Sequence, residues 1–471
     1  MQPRDGVGHR SARRGTLAPV IALAVGVWAL AGEPFVHATE LQILAAATLV
    51  AALALIGVHR SRATNGFADP FHPLAFPLIY VAFSFLAPLW LADVLGTPLR
   101  GLGGNIPVAN GTVKLLVIGV VGFAAGATVR FRPRGPRTVA RTRAPVSPAR
   151  LLTAGRLLLL VPILISLERF AAGTVSHRGL NHLAVTPSDA LSALLDPTEI
   201  AATVLILAAH RMTRSPRLLA RLDWVLIGGL ILLIAARGSR GNAIALLLLL
   251  TLAQAYRRRR VLAVIAGATV MAVFGVVVLQ YRSAAAGHAT SASAAQILIG
   301  DMTVAPFTTG ATAQVVPREQ GYLHGATLVA ALERQLPSPI AIPLFGPPDD
   351  TAARRFRDLV GFNNPNQGIG YSIPAEGYLN FGRFGVFGIC LVLGLVFAWA
   401  YARFDLATAR TSRLLYPVLV AVLPFGLRSD SLGLTKSILY AAILIQVALI
   451  ASRRAQSRRP VVRSTGALLR A

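Results

Sequence analysis

Long apolar runs dominate this chain and leave few ways to fold it. About 17–25 consecutive apolar residues suffice to cross the hydrocarbon core of a bilayer as a helix. Twelve such stretches are predicted, at residues 16–32, 41–58, 74–95, 112–129, 151–167, 190–209, 222–236, 243–256, 261–280, 385–401, 414–427 and 432–451. Those at 222–236, 243–256 and 414–427 are short. In an alternative layout the first two of these form a re-entrant hairpin, which leaves ten spans. Only 14% of the 471 residues are charged, against about 25% in a soluble domain. One cysteine, Cys390, excludes an intramolecular disulfide and a cysteine-built metal site. The expected fold class is an all-α polytopic membrane protein.

A net charge of +27 and a pI near 11.7 would ordinarily point to nucleic acid. Here the charges come in bursts between apolar runs, which is how membrane proteins fix their orientation. With the N-terminus inside, thirty of the 46 Lys and Arg residues fall in seven inside segments, and fifteen of the 19 Asp and Glu residues fall elsewhere. That bias predicts an N-in, C-in topology. Val36-His37-Ala38, after the first run, also allows that run to be a cleaved signal peptide. Four regions follow: helices one to nine within 1–280, a large outer loop at 281–384, helices ten to twelve within 385–451, and a basic inner tail at 452–471. The outer loop, rich in Pro and Gly, is expected to cap the membrane surface or re-enter it. Gly119, Gly122 and Gly126 sit at a spacing that suits close helix packing.

Arginine is disfavoured on the outer face and within helices, so outer arginines need partners. Three groups stand out: the turn Arg237-Gly-Ser-Arg240-Gly241-Asn242, then Arg282, then Arg354, Arg355 and Arg357. A guanidinium offers a planar fork that matches phosphate oxygens. The plainer readings are snorkelling of Arg237 and Arg240 to headgroups, and solvated pairing of Arg354 and Arg355 with Asp349, Asp350 or Asp358. Arg357 also begins an Arg-x10-Gly spacing that ends at Gly368, although Arg4 and Arg100 match the same spacing.

Ser372, Glu376, Tyr378, Asn380-Phe381-Gly382 and Gly385 resemble the C-terminal signature of Wzy-type oligosaccharide repeat-unit polymerases, the O-antigen polymerases. The Arg-Gly-Ser-Arg-Gly turn, the arginine after the following helix and the late outer loop are similar to that family too. The resemblance implies a membrane glycosyltransferase fold at the outer face of a bacterial cytoplasmic membrane. It implies a polyprenyl-diphosphate-linked oligosaccharide as substrate, and a chain-length regulator and a flippase as partners. The growing chain would pass from its lipid diphosphate to a sugar hydroxyl of the incoming unit. Arg237, Arg240 and Arg282 would steady the charge on the leaving group. Glu376 would accept the hydroxyl proton, with His324 as the alternative base. Ser372, Tyr378, Asn380, Arg357 and Arg383 would hold substrate. The plainer reading of Glu376 is an ion pair with Arg383 or another loop arginine. No cofactor is expected. His288 and His324 lack ligand spacing, so no metal is expected either. A ligase using the same lipid carrier and a transporter or flippase are the alternatives, although no repeated halves favour the latter.

Overall fold

The computed structural model describes residues 39–65, 69–94, 111–131, 146–171, 187–213, 217–236, 240–258, 265–271, 273–277, 303–317, 320–336, 338–346, 351–360, 370–406 and 410–454. Among them every regular element is helical. The bundle begins with α1 (Thr39–Asn65), α2 (Phe76–Val94), α3 (Gly111–Thr128), α4 (Pro148–Ala171), α5 (Pro187–Met212), α6 (Arg217–Ala236) and α7 (Arg240–Arg258). Four short helices follow: α8 (Val304–Val315), α9 (Ala326–Glu333), α10 (Ser338–Phe345) and α11 (Ala352–Leu359). The chain then returns through α12 (Ile373–Tyr401), α13 (Thr411–Gly426) and α14 (Ser431–Arg454).

Four of these meet the length and hydropathy of a membrane span: Gly111–Thr128, Pro148–Glu168, Ile373–Tyr401 and Ser431–Arg453. The helices at Phe76–Leu89, Gly241–Tyr256 and Thr411–Gly426 are apolar but shorter. The run predicted at 16–32 lies outside the described residues. Two boundaries differ from expectation. Helix α6 starts at Arg217 and not near 222, because Arg and Leu are good helix formers and its Asp223 is held by Arg156. Helix α12 starts at Ile373 and not at 385, so the signature segment is helical.

The segment predicted as a loop contains α8 to α11 and the first turns of α12. It has its own small core of Ala311, Val316, Ala352, Phe356, Tyr371, Ala375 and Leu379. Helix α11 shows why. Ala352 and Phe356 are buried and Ala353 and Leu359 pack beside them, while Arg354, Arg355, Arg357 and Asp358 occupy the remaining positions.

Helix α3 is the buried centre of the bundle and crosses α12 at backbone contact. A methyl group on Gly126 would strike the Leu391 carbonyl oxygen, and one on Gly394 would strike that of Phe123. Gly119 and Gly122 lie against Cys390. The glycine spacing therefore serves close packing, as expected. Some buried hydroxyls are satisfied along their own helices, as when Thr203 donates to the Glu199 carbonyl (2.9 Å) and Thr251 to that of Leu247 (2.8 Å).

Two polar clusters lock the end of the bundle where α12 finishes. Asp69 accepts from Tyr401 (2.6 Å), from Tyr256 and from the Phe71 amide (2.9 Å). Burial raises its pKa against the pull of these bonds. Nearby, burial and the Arg60 charge push His72 down to about 4, so it is neutral. Asp223 accepts a two-pronged bond from Arg156 (2.6 and 2.9 Å) and lies 2.7 Å from His210 Nε2.

Overpacking a close crossing costs about 1–3 kcal/mol. Gly126→Leu and Gly394→Leu should each lower stability by that order, read as a lower unfolding midpoint in detergent. Gly228→Ala, where a methyl meets nothing within 4 Å, should not.

Candidate active site

The signature begins with Ser372 as N-cap of α12, its hydroxyl accepting from the Ala375 amide at 3.4 Å, with Pro374 in the first turn. The helix runs one short arm, to Asn380, and breaks. Phe381 (φ −141°, ψ 19°) and Gly382 (φ 62°, ψ −145°) leave helical geometry. Only glycine adopts the latter pair readily, and a methyl on Gly382 would also lie 2.9 Å from the Tyr322 hydroxyl oxygen. The chain folds back so sharply that Gly377 and Gly385 touch. A methyl on Gly377 would fall 2.7 Å from the Gly385 carbonyl oxygen, and one on Gly385 would strike that of Gly377.

The break frees the carbonyls that end a helix, and these need donors. Leu323 N–H donates to the Leu379 carbonyl (3.1 Å) and His324 N–H to that of Asn380 (3.0 Å). Gly325 N–H donates to Asn380 Oδ1 (3.0 Å), and Asn380 Nδ2 donates to Thr327 Oγ1 (2.7 Å) and to the Glu376 carbonyl (2.9 Å). His324 (φ 48°) and Gly325 (φ 95°) make this corner left-handed.

Glu376 is fully buried. Thr327 Oγ1 donates to its Oε1 (3.0 Å), Ser431 Oγ to Oε1 (2.8 Å) and the Ser431 amide to Oε2 (2.6 Å). The Ser431 amide is an orphan donor at the start of α14, where a carboxylate is favoured. Glu376 therefore clasps the 320–336 segment to α14. Arg383 is exposed beyond the kink, and no ion pair joins it to Glu376 among the described residues.

The remaining predicted residues divide. Ser372 is buried, its hydroxyl 2.8 Å from that of Thr308 and 3.3 Å from that of Thr309. Tyr378 stands edge-on to Tyr322, ring centroids 6.0 Å apart. Arg357 is half-buried on α11. Arg237, Arg282, Gly368 and the side chain of Arg240 lie outside the described residues, as do Asp349 and Asp350. Gly241, next to Arg240 in the first turn of α7, lies against α13: a methyl on it would be 3.1 Å from Phe425 Cβ. Phe425 lies in the last turn of α13, which a short turn at 427–430 joins to Ser431 at the start of α14. In that turn, Asp430 Oδ1 caps α14 by accepting from the Gly433 amide (3.0 Å).

Thr327, Ser431 and Tyr322 were not anticipated. Ser431 carries a signal, since Asp-Ser before an apolar run is a helix-start pattern. Thr327 carries none, because its role depends on a contact 49 residues away in sequence.

These features define an integral membrane protein with an α-helical bundle closed at one end by a buried carboxylate and a helical cap. The model of the family described as O-antigen polysaccharide polymerase Wzy matches residues 212–456, just over half of the chain. The chain belongs to that family and polymerises repeat units in O-antigen biosynthesis. No curated protein and no solved structure matches it.

Removing a donor from a buried acceptor costs about 1–3 kcal/mol, and more when the acceptor is charged. Thr327→Val should lower stability by at least that order and open the 320–336 segment to protease. Thr153→Val, at an exposed hydroxyl, should do neither.

Proposed function

We propose that this polymerase joins oligosaccharide units carried on a polyprenyl diphosphate at the outer face of a bacterial cytoplasmic membrane. In this reading the chain has twelve spans, with both termini inside. The acceptor hydroxyl oxygen attacks the anomeric carbon of the growing chain. The bond from that carbon to the diphosphate oxygen breaks, and the diphosphate leaves with the electron pair. Arg237, Arg240 and Arg282 meet the charge that builds on it. The hydroxyl proton passes to Glu376.

The observation that carries this reading is the junction of α13 and α14, residues 425–431. Gly241, beside Arg240, packs on its first residue, and Glu376 binds its last. The two motifs that resembled the family, 130 residues apart in sequence, therefore meet one short junction. Helix α7 also begins there, and a helix N-terminus favours an anion.

Burial constrains the proton step. Among the described residues, every hydrogen bond to the Glu376 carboxylate comes from Thr327 or Ser431. A sugar hydroxyl reaches it by replacing the Thr327 hydroxyl on Oε1, so the corner at 323–327 must lift. Asn380, Tyr378 and Ser372 then lie on the arm that the sugar meets, with Arg357 and Arg383 at its margins.

Purified protein supplied with a lipid-diphosphate-linked repeat unit should yield a ladder of products. Glu376→Gln should lower the rate by about 10²–10⁴-fold while the protein still folds. Arg240→Gln should lower it by about 10²–10³-fold, the order for loss of one charge-stabilising donor. Normal turnover by Glu376→Gln removes Glu376 as the base, and transport of the lipid across vesicles without a ladder favours a flippase.

A further inference from the structure

The arm formed by α9 and α10 is apolar on the wrong side for water. On α9 the residues facing the body are Thr327, Ala330 and Ala331. The opposite stripe, Val329 and Leu332, is apolar as well and 55% and 71% exposed. Glu333, in the last turn, is the one charged residue of α9, and an outer stripe otherwise apolar suits a core or lipid. Helix α10 contains no charged residue, and Ile340, Ile342, Leu344 and Phe345 are all exposed. A bond from Arg334 Nη2 to the Phe345 carbonyl (3.3 Å) ties the two helices into one unit.

Two hydrogen bonds set the height of this arm. Gln335 Nε2 donates to Thr435 Oγ1 (2.7 Å), and the Tyr440 hydroxyl donates to the Gln335 carbonyl (2.7 Å). Thr435 and Tyr440 lie roughly 6 and 14 Å along α14 from Ser431, at about 1.5 Å per residue. The candidate span Ser431–Arg453 has 23 residues, or about 34 Å, against a hydrocarbon core of about 30 Å. The arm therefore meets α14 at or below the hydrocarbon boundary. It is continuous with a stripe of α14, Leu439, Ile443 and Val447, whose exposed apolar side chains face outward as lipid-facing residues do.

We propose that α9 and α10 lie in the plane of the membrane, with Leu332, Ile342, Leu344 and Phe345 immersed among the acyl chains of the leaflet that α14 enters from Ser431. The partner is the bilayer itself, and the arm is an interfacial anchor of the kind whose apolar face sinks about 5–10 Å below the headgroups.

The test uses the whole chain in phosphatidylcholine vesicles with no substrate, so its outcome is independent of the proposed chemistry. Cys390 is buried. Leu332→Cys and Leu344→Cys are labelled with an environment-sensitive NBD dye, with the exposed Arg355→Cys as the aqueous reference. The two arm positions should emit at shorter wavelength, be quenched by lipids carrying a shallow doxyl group and resist aqueous iodide. Position 355 should show the reverse. Iodide quenching of positions 332 and 344 equal to that at 355 overturns the proposal. So does protection from both quenchers, which gives the face to protein; energy transfer between labelled copies would then identify a second copy as the cover. Should one cysteine variant fail to fold, the other carries the same comparison.

Discussion

Two glycines in contact, Gly377 and Gly385, decide the geometry of the end of the bundle where α12 begins. A side chain at either would force the arms of α12 apart, and the fold-back at Phe381 and Gly382 would open. The fold-back places Glu376 beside the first turn of α14 and leaves the Leu379 and Asn380 carbonyls free for the 323–325 backbone. The glycines of the signature are therefore the reason its polar residues stand where they do. The same device recurs where α12 crosses α3, with Gly126 and Gly394 each admitting a backbone oxygen. Dispersion and close approach drive such contacts in a bilayer, where apolar burial between helices gains little over lipid.

Under the proposed role of Glu376 as base, its three hydrogen bonds describe a closed resting state. Among the described residues its partners are two hydroxyls and one amide, with no guanidinium. A sugar hydroxyl can replace the threonine hydroxyl at little enthalpic cost, whereas breaking an ion pair would cost far more. The segment that the proposed reaction would move carries Thr327 on α9, whose outer stripe carries Val329 and Leu332. Under that proposal, movement of the corner and the seating of the helix on its surroundings are one event. The polar contact sits on the inner stripe and the apolar contact on the outer.

The helical class and most helix positions could be read from apolar run length, because a span needs both length and hydropathy and little else resembles it. Charged ends misled. Arg217, Arg221 and Asp223 lower local hydropathy, yet they belong to α6 because Arg156 neutralises Asp223. The start of α12 was missed for a different reason. Glycine-rich sequence reads as loop, but here the glycines serve a bend and a helix contact, which one-dimensional propensity does not encode. Glu376 and Asn380 were legible as polar residues of a recognisable motif. Their partners were not, since Thr327 and Ser431 are common residue types brought in by long-range packing. The ion pair weighed for Glu376 with Arg383 failed because the kink turns Arg383 outward. The helix-forming content of the 281–384 segment was hidden by its Pro and Gly.

The two ends of the bundle hold their buried carboxylates with different partners. Where α12 finishes, Asp69 ties α1, α7 and α12 together through hydroxyls, and Asp223 is gripped by the Arg156 guanidinium and faces His210. Stripping Arg156 from buried Asp223 would cost about 3–5 kcal/mol. Where α12 begins, the cap is held by hydrogen bonds from hydroxyls and amides, each worth about 1 kcal/mol net, or somewhat more to a charged acceptor. The guanidinium clamp on Asp223 is therefore what distinguishes the end where α12 finishes, since the hydroxyl and amide bonds of Asp69 there are of the same kind as those that hold Glu376 where α12 begins.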